Sequence, residues 1–258
     1  MKLLITASLD YSFPEPTDVL LQIEAAMIPE QIIESAHIDV PNCQHFARID
    51  AQDAIGERIW IRVEGRLTVD YRSTVQVNRI VSDCLDLPRI EPHLLPSDTV
   101  PYLLPSRYCA SDQFVSFVES RFGGVGGGAQ LMAMRDWIES HLSYVPGAST
   151  SATTALDTFV RREGICRDYA HLLISFARAA GIPARIASVY ALGVKPQDFH
   201  AVAEVFLGGE WHLVDATGMA SEGAMAKIGI GRDAADVAFL TTFGHTSMNA
   251  QSVWVQAA

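Results

Sequence analysis

The chain has 258 residues, 49% of them hydrophobic and 19% charged, with a formal net charge of −11. This is enough for one large packed domain or two modest ones. The acidic balance, with no run of Lys and Arg, argues against nucleic-acid and anionic-membrane partners, and no apolar run reaches the ~18 residues of a membrane-spanning helix.

The opening MKLLITASLDYSF reads as a first strand, because polar residues at Thr6 and Ser8 interrupt any secretory apolar core. A cytoplasmic protein is therefore expected. Residues 3–9, 19–27, 58–64 and 67–77 carry apolar runs or period-two alternation rich in Val, Thr and Tyr, the pattern of short strands. Residues 28–36 fit either a short helix or a strand. Residues 1–85 are thus expected to form a β-sandwich-like module.

Between residues 86 and 110 the chain changes character. Pro88, Pro92, Pro96, Pro101 and Pro105 cannot sit in a helix interior or a central strand, so this is an extended connector. Its Leu and Tyr residues should pack it against the surface. Helical spacing begins at 112–122 and resumes at 129–142, 154–162 and 166–180. Gly181 and Pro183 stop the last of these. The intervening GGVGGG at 123–128 lacks the GK[ST] ending of a phosphate loop. It reads as a connector, or as a flap near the active cleft.

Strands return at 184–191, 200–207 and 210–216, the last two joined by Gly208-Gly209, a two-residue hairpin turn. Further strands are expected near 236–242 and 252–256. Residues 111–258 are therefore expected to form an α+β domain.

Four cysteines, Cys43, Cys84, Cys109 and Cys166, are spread without CxxC pairing, which argues against zinc knuckles and disulfide scaffolds. Cys166 opens a helix in EGICRDYAHLL. The free N–H groups and positive dipole end there favour thiolate over thiol, and its own N–H is placed for an oxyanion hole. Alone, a cysteine at a helix start is commonly just a small buried hydrophobe. His200 opens a strand in QDFHAVAEVF, and Asp215 ends the next in EWHLVDATG. Hairpin pairing sets His200 opposite residues 216–217 and so brings Asp215 close. An acid beside a histidine orients the imidazole and stabilises its cation.

His171 lies on the same helix as Cys166 but about 140° past a full turn, so it is expected to point away from the sulfur and to pack. His212 lies an odd number of residues from Asp215, on the other face of the strand. The remaining histidines show no ligand spacing. Neither a metal site nor a cofactor is expected.

The segments GICRDYAHLLISFARAAGIPARIASVYALG and DFHAVAEVFLGGEWHLVDATG resemble the transglutaminase-like superfamily. Its members carry G-[VI]-C at a helix start, A-R-A-x-G-I-P-A-R after it, H-A-x-x-E-V on a strand and W-x-x-x-D-x-T beyond. The connector resembles that of bacterial transglutaminase-like cysteine proteases. The resemblance implies a papain-like α+β catalytic domain with Cys166, His200 and Asp215 as catalytic triad. It further implies a cysteine-dependent hydrolase that cuts an amide or peptide bond of an unidentified substrate through a thioester acyl-enzyme. A protein-glutamine transamidase and a non-catalytic scaffold are the alternatives. The chain departs from the pattern at Val202, where relatives carry Trp, and at Ala216, where they carry Pro.

Overall fold

A computed structural model describes residues 1–258. Strands β1 (Lys2–Leu21), β2 (Gln31–Asp39), β3 (His45–Asp50) and β4 (Glu57–Val77) form an antiparallel sheet. Alternation does the sorting: Leu3, Ile5, Ala7, Leu9, Tyr11 and Phe13 of β1 are buried while their neighbours face outward. Residues 28–36 resolve toward the strand. β1 is one strand where the sequence suggested two pieces, 3–9 and 19–27. Its register with β4 shifts between Phe13 and Thr17, at Pro14 and Pro16, where an irregularity accommodates prolines that cannot donate to a ladder.

The connector runs as three short 3-10 turns, Cys84–Asp86, Pro92–Leu94 and Val100–Leu103. It is pinned by Tyr102, which is buried edge-on against Trp211 and donates its hydroxyl hydrogen to Asp53 at 2.6 Å.

Helices α1 (Val115–Phe122) and α2 (Gly127–His141) lead to the two-residue strand β5 (Ser143–Tyr144). Then come α3 (Ala155–Arg161), the two-residue strand β6 (Glu163–Gly164) and α4 (Cys166–Ala179). Phe117, Trp137, Phe159 and Phe176 from the four helices interlock: Phe117 meets the other three at tilted or edge-on angles, and Trp137 stacks on Phe159, geometries that aromatic pairs favour. α4 is buried on nearly every side, as its mostly apolar sequence requires. Its Arg178, the arginine of the A-R-A segment, donates to the carbonyls of Ala184 (2.8 Å) and Leu104 (2.9 Å). It thereby ties connector, helix and following strand together.

Strands β7 (Ala184–Ala191), β8 (His200–Leu207), β9 (Glu210–Val214) and β10 (Met225–Gly231) form a second antiparallel sheet in the order β10-β7-β8-β9. One face, with Ile186, Ala203, Val205 and Leu207, packs on the helices. On the other face Arg185 pairs across strands with Glu204 at 2.6 Å, and Lys227 also contacts that carboxylate. These buried groups are the Arg and Glu of the P-A-R and H-A-x-x-E-V segments.

The expected boundary of a second unit at 111–258 needs correction. The last strands, β11 (Leu240–Thr242) and β12 (Ser247–Ala257), pair antiparallel with β1 and complete a six-stranded N-terminal sheet. Val253 and Val255 are buried there, so the alternation of β12 continues the core of residues 1–77. That core also takes in Tyr190, Phe199, Ala226 and Ile228 from the second module.

Candidate active site

The start of α4 is built by three local devices. β5 and β6 pair in parallel, with Val145 N–H donating to the Gly164 carbonyl at 2.9 Å, which fixes the chain just before Cys166. The Asp168 carboxylate turns back to accept from Ile165 N–H at 2.8 Å, satisfying an otherwise free donor of the first turn. Gly164 is needed for space: a Cβ there would lie 2.7 Å from Asp168 Cβ. Cys166 then begins the helix with little exposed surface, on the wall of a cleft.

His200 is the first residue of β8, and Asp215 directly follows β9. The turn between these strands uses Gly208 at φ +61° and Gly209 at φ +95°, the conformation of a type I′ hairpin that favours glycine. Its register sets Ala203 opposite Val214, and so brings His200 and Asp215 together. His200 Nε2 lies 3.0 Å from Asp215 Oδ2, both side chains being buried. Asp215 Oδ1 accepts from Thr217 N–H (2.9 Å) and Thr217 Oγ1–H (2.7 Å), and Oδ2 from Ala220 N–H (3.0 Å). Thr217 of the D-x-T segment therefore orients the acid.

With Nε2 engaged, the buried Nδ1 of His200 has no hydrogen-bond partner, and His200 lines the same cleft as the Cys166 thiol. Burial opposes charge on His200, but the bond to Asp215, and then the thiol, outweigh it and raise its pKa to about 10. Burial likewise pushes Asp215 upward, and the His200 bond overcomes this and holds it below its ordinary value. The structure brings all three expected residues together.

The cleft holds about 620 Å³ and is mostly apolar, with Tyr144, Phe199, Val237 and Phe239 beside Cys166 and His200. Tyr144 sits against Cys166. Its hydroxyl is pushed to a higher pKa, first by burial and then by the charge of the sulfur. Arg167 holds one wall by donating to the Thr150 carbonyl at 2.7 Å. The sequence reading did not pick out Tyr144, Phe239 or Leu240. Tyr144 reaches the site through a two-residue strand with no periodic signal, and 237–240 reaches it through the return of the chain to the N-terminal sheet.

His171 is fully buried, stacked on Tyr108 at 5.1 Å, and accepts from Ala234 N–H through Nε2. Burial lowers its pKa to about 3, so it is a neutral packing group behind the cleft wall. His212 is buried and does not line the cleft. The flap reading of GGVGGG is corrected. Those glycines border a separate groove with Ala179 and Ala180, at the far end of α4 from Cys166.

A model of the transglutaminase-like superfamily matches residues 119–216, a span that holds Cys166, His200 and Asp215. The chain is 30% identical over 116 residues to an uncharacterized protein of Mycobacterium leprae (strain TN). That match covers 42% of this chain and 42% of the relative, less than half of each. It superposes with TM-score 0.92 and 31% identity on a "putative cysteine protease" from Cytophaga hutchinsonii, over 99% of this chain and 90% of that one. The fold, its near-complete superposition and the ordered motif segments agree, and the chain belongs to the transglutaminase-like superfamily.

Proposed function

We propose that the protein is a cysteine-dependent hydrolase that cleaves an amide or peptide bond, with Cys166 as nucleophile, His200 as acid–base and Asp215 as its orienting partner. The observation that carries this reading is the relay itself. Nε2 of His200 is tied to Asp215 at 3.0 Å, and Nδ1 has no hydrogen-bond partner, in the same cleft as the Cys166 thiol that begins α4. An imidazolium beside a thiol at a helix N-terminus favours the thiolate.

In this reading the sulfur attacks the carbonyl carbon and forms an S–C bond. The oxyanion meets the Cys166 N–H and the Tyr144 hydroxyl. His200 gives its proton to the leaving nitrogen as the C–N bond breaks, leaving a thioester. Water then attacks, passing a proton to His200, and the S–C bond breaks to release the acid and restore the thiolate. The four free thiols, Cys166 included, fit a reducing, cytoplasmic setting.

The test is a peptide-library digestion read by mass spectrometry. The wild type should generate new amino termini, and C166A and H200A should not. Ammonia release with incorporation of a labelled amine would instead identify a transamidase. Identical products from wild type and C166A would refute a cysteine mechanism.

A further inference from the structure

Gln251 lies on the inward face of β12, in register with the buried Leu9 and in line with the buried Val253 and Val255. An inward polar residue in a row of valines needs a reason, and Gln251 lies where β12 meets the cleft that holds Cys166 and His200. Its Nε2 donates to Asp198 Oδ1 at 2.7 Å. A carboxylate can only accept, so this contact fixes the orientation of the amide. Oε1 is thereby turned away from Asp198, and it is buried with no donor. Such an acceptor carries a free-energy cost that a ligand N–H would remove.

The loop before His200 does not depend on Gln251 alone. Gln197 Oε1 accepts from Val255 N–H at 2.8 Å, and Phe199 stacks on Phe239 at 4.7 Å. A purely clamping role for Gln251 would duplicate these ties and would leave Oε1 unexplained. The Asp198 oxygen that takes Nε2 also accepts from Phe199 N–H at 2.8 Å, which fixes the carboxylate that in turn fixes the Gln251 amide.

We propose that Gln251 is a specificity-determining residue whose Oε1 accepts a backbone N–H of a peptide substrate lying in the cleft. The inference rests on the hydrolase reading above and extends it. The substrate is a peptide with a free secondary amide at one fixed position, and the N-terminal sheet, through β12, supplies part of its binding site.

The test uses peptidyl vinyl sulfones, which alkylate a thiolate by conjugate addition, in a series where each backbone N–H in turn is N-methylated. In the wild type, methylation at one position should slow Cys166 labelling about tenfold, the order expected for one lost hydrogen bond. In Q251L, checked for an unchanged melting profile, that penalty should vanish. In the double variant D198N/Q251E the acceptor at 251 is kept and the link to residue 198 is rebuilt with reversed polarity, so the penalty should return. Equal penalties in wild type and Q251L, or none at any position while iodoacetamide still labels Cys166 rapidly, would overturn the Gln251 assignment alone. Slow labelling of Cys166 by every reagent would overturn the hydrolase reading and this inference with it.

Discussion

His200 and Asp215 are joined at 3.0 Å inside the protein, and Asp215 takes three further hydrogen bonds from Thr217 and Ala220. The acid is therefore rigidly held before it touches the histidine, and the histidine is held by a rigid acid. A hairpin closed by two glycines sets this geometry, so it is a property of the fold rather than of a mobile loop.

Replacing Asp215 with Asn should leave the ring in place but remove the charge that supports the imidazolium. Activity should fall by about 10⁴-fold, the loss seen when a triad acid is replaced by its amide. Stability should fall by only about 1–3 kcal/mol, because an NH₂ group would then face the Ala220 N–H donor. Peptide-hydrolysis rates and urea unfolding curves measure the two effects. A D215N variant that hydrolyses peptide as fast as wild type would remove Asp215 from the relay.

The titration of the pair gives stability a definite pH dependence. His200 is raised above its ordinary value to about 10, so the stabilisation it gives as a cation is full below pH 6.5 and is lost as pH rises toward 10. Asp215 is lowered, so its contribution is present above its ordinary 3.8 and is lost as pH falls through its depressed value. The melting-temperature gap between wild type and H200A should be widest at about pH 5–6 and should shrink steadily in alkali. A gap that widens with rising pH would contradict the assigned charge state.

Glu204 is fully buried between Arg185 and Lys227. Burial alone would raise its pKa, but Lys227 and then Arg185 hold it below the ordinary carboxylate value. E204A would leave the buried Lys227 with Glu30 at 3.1 Å and the buried Arg185 with Asp53 at 3.4 Å as their remaining ion-pair partners, and should cost about 3 kcal/mol. Chemical denaturation measures this, and a loss below about 1 kcal/mol would show that Glu30 and Asp53 suffice to hold the two cations.

Gly164 has no room for a side chain, since a Cβ would press on the Asp168 carboxylate that caps the first turn of α4. G164A should destabilise the protein by about 1–3 kcal/mol and slow Cys166 alkylation beyond what that loss explains, because the helix start would shift. Comparing labelling rates with melting temperatures separates the two effects. Wild-type labelling in G164A would show that the cap tolerates displacement.

Much of this was legible in the sequence, for local reasons. The helix that begins at Cys166, the Gly208-Gly209 turn and the strands around it are written in period, caps and turn chemistry, and together they bring Cys166, His200 and Asp215 to one place. Arg178, Arg185, Glu204 and Thr217 were visible as motif letters, but their work in tying carbonyls, pairing across strands and orienting the acid became readable only with the register. Long-range pairing was the part not legible. Nothing in residues 240–257 says that they return to β1. The break at Pro14 and Pro16 hid the continuity of that first strand. Gln251 therefore stood far from the motif segments in sequence and beside them in space.

The most direct test of the central claim is the rate of Cys166 alkylation by iodoacetamide at about pH 6, where an ordinary thiol near 8.5 is almost fully protonated. Peptide mapping would follow Cys43, Cys84 and Cys109 in the same sample. The His200–Asp215 relay predicts Cys166 labelling about 10²-fold faster than a free thiol, with the advantage lost in H200A. Cys109, whose pKa burial pushes up to about 12, should stay unmodified. A Cys166 that reacts no faster than a free thiol, or equally fast in H200A, would contradict the account.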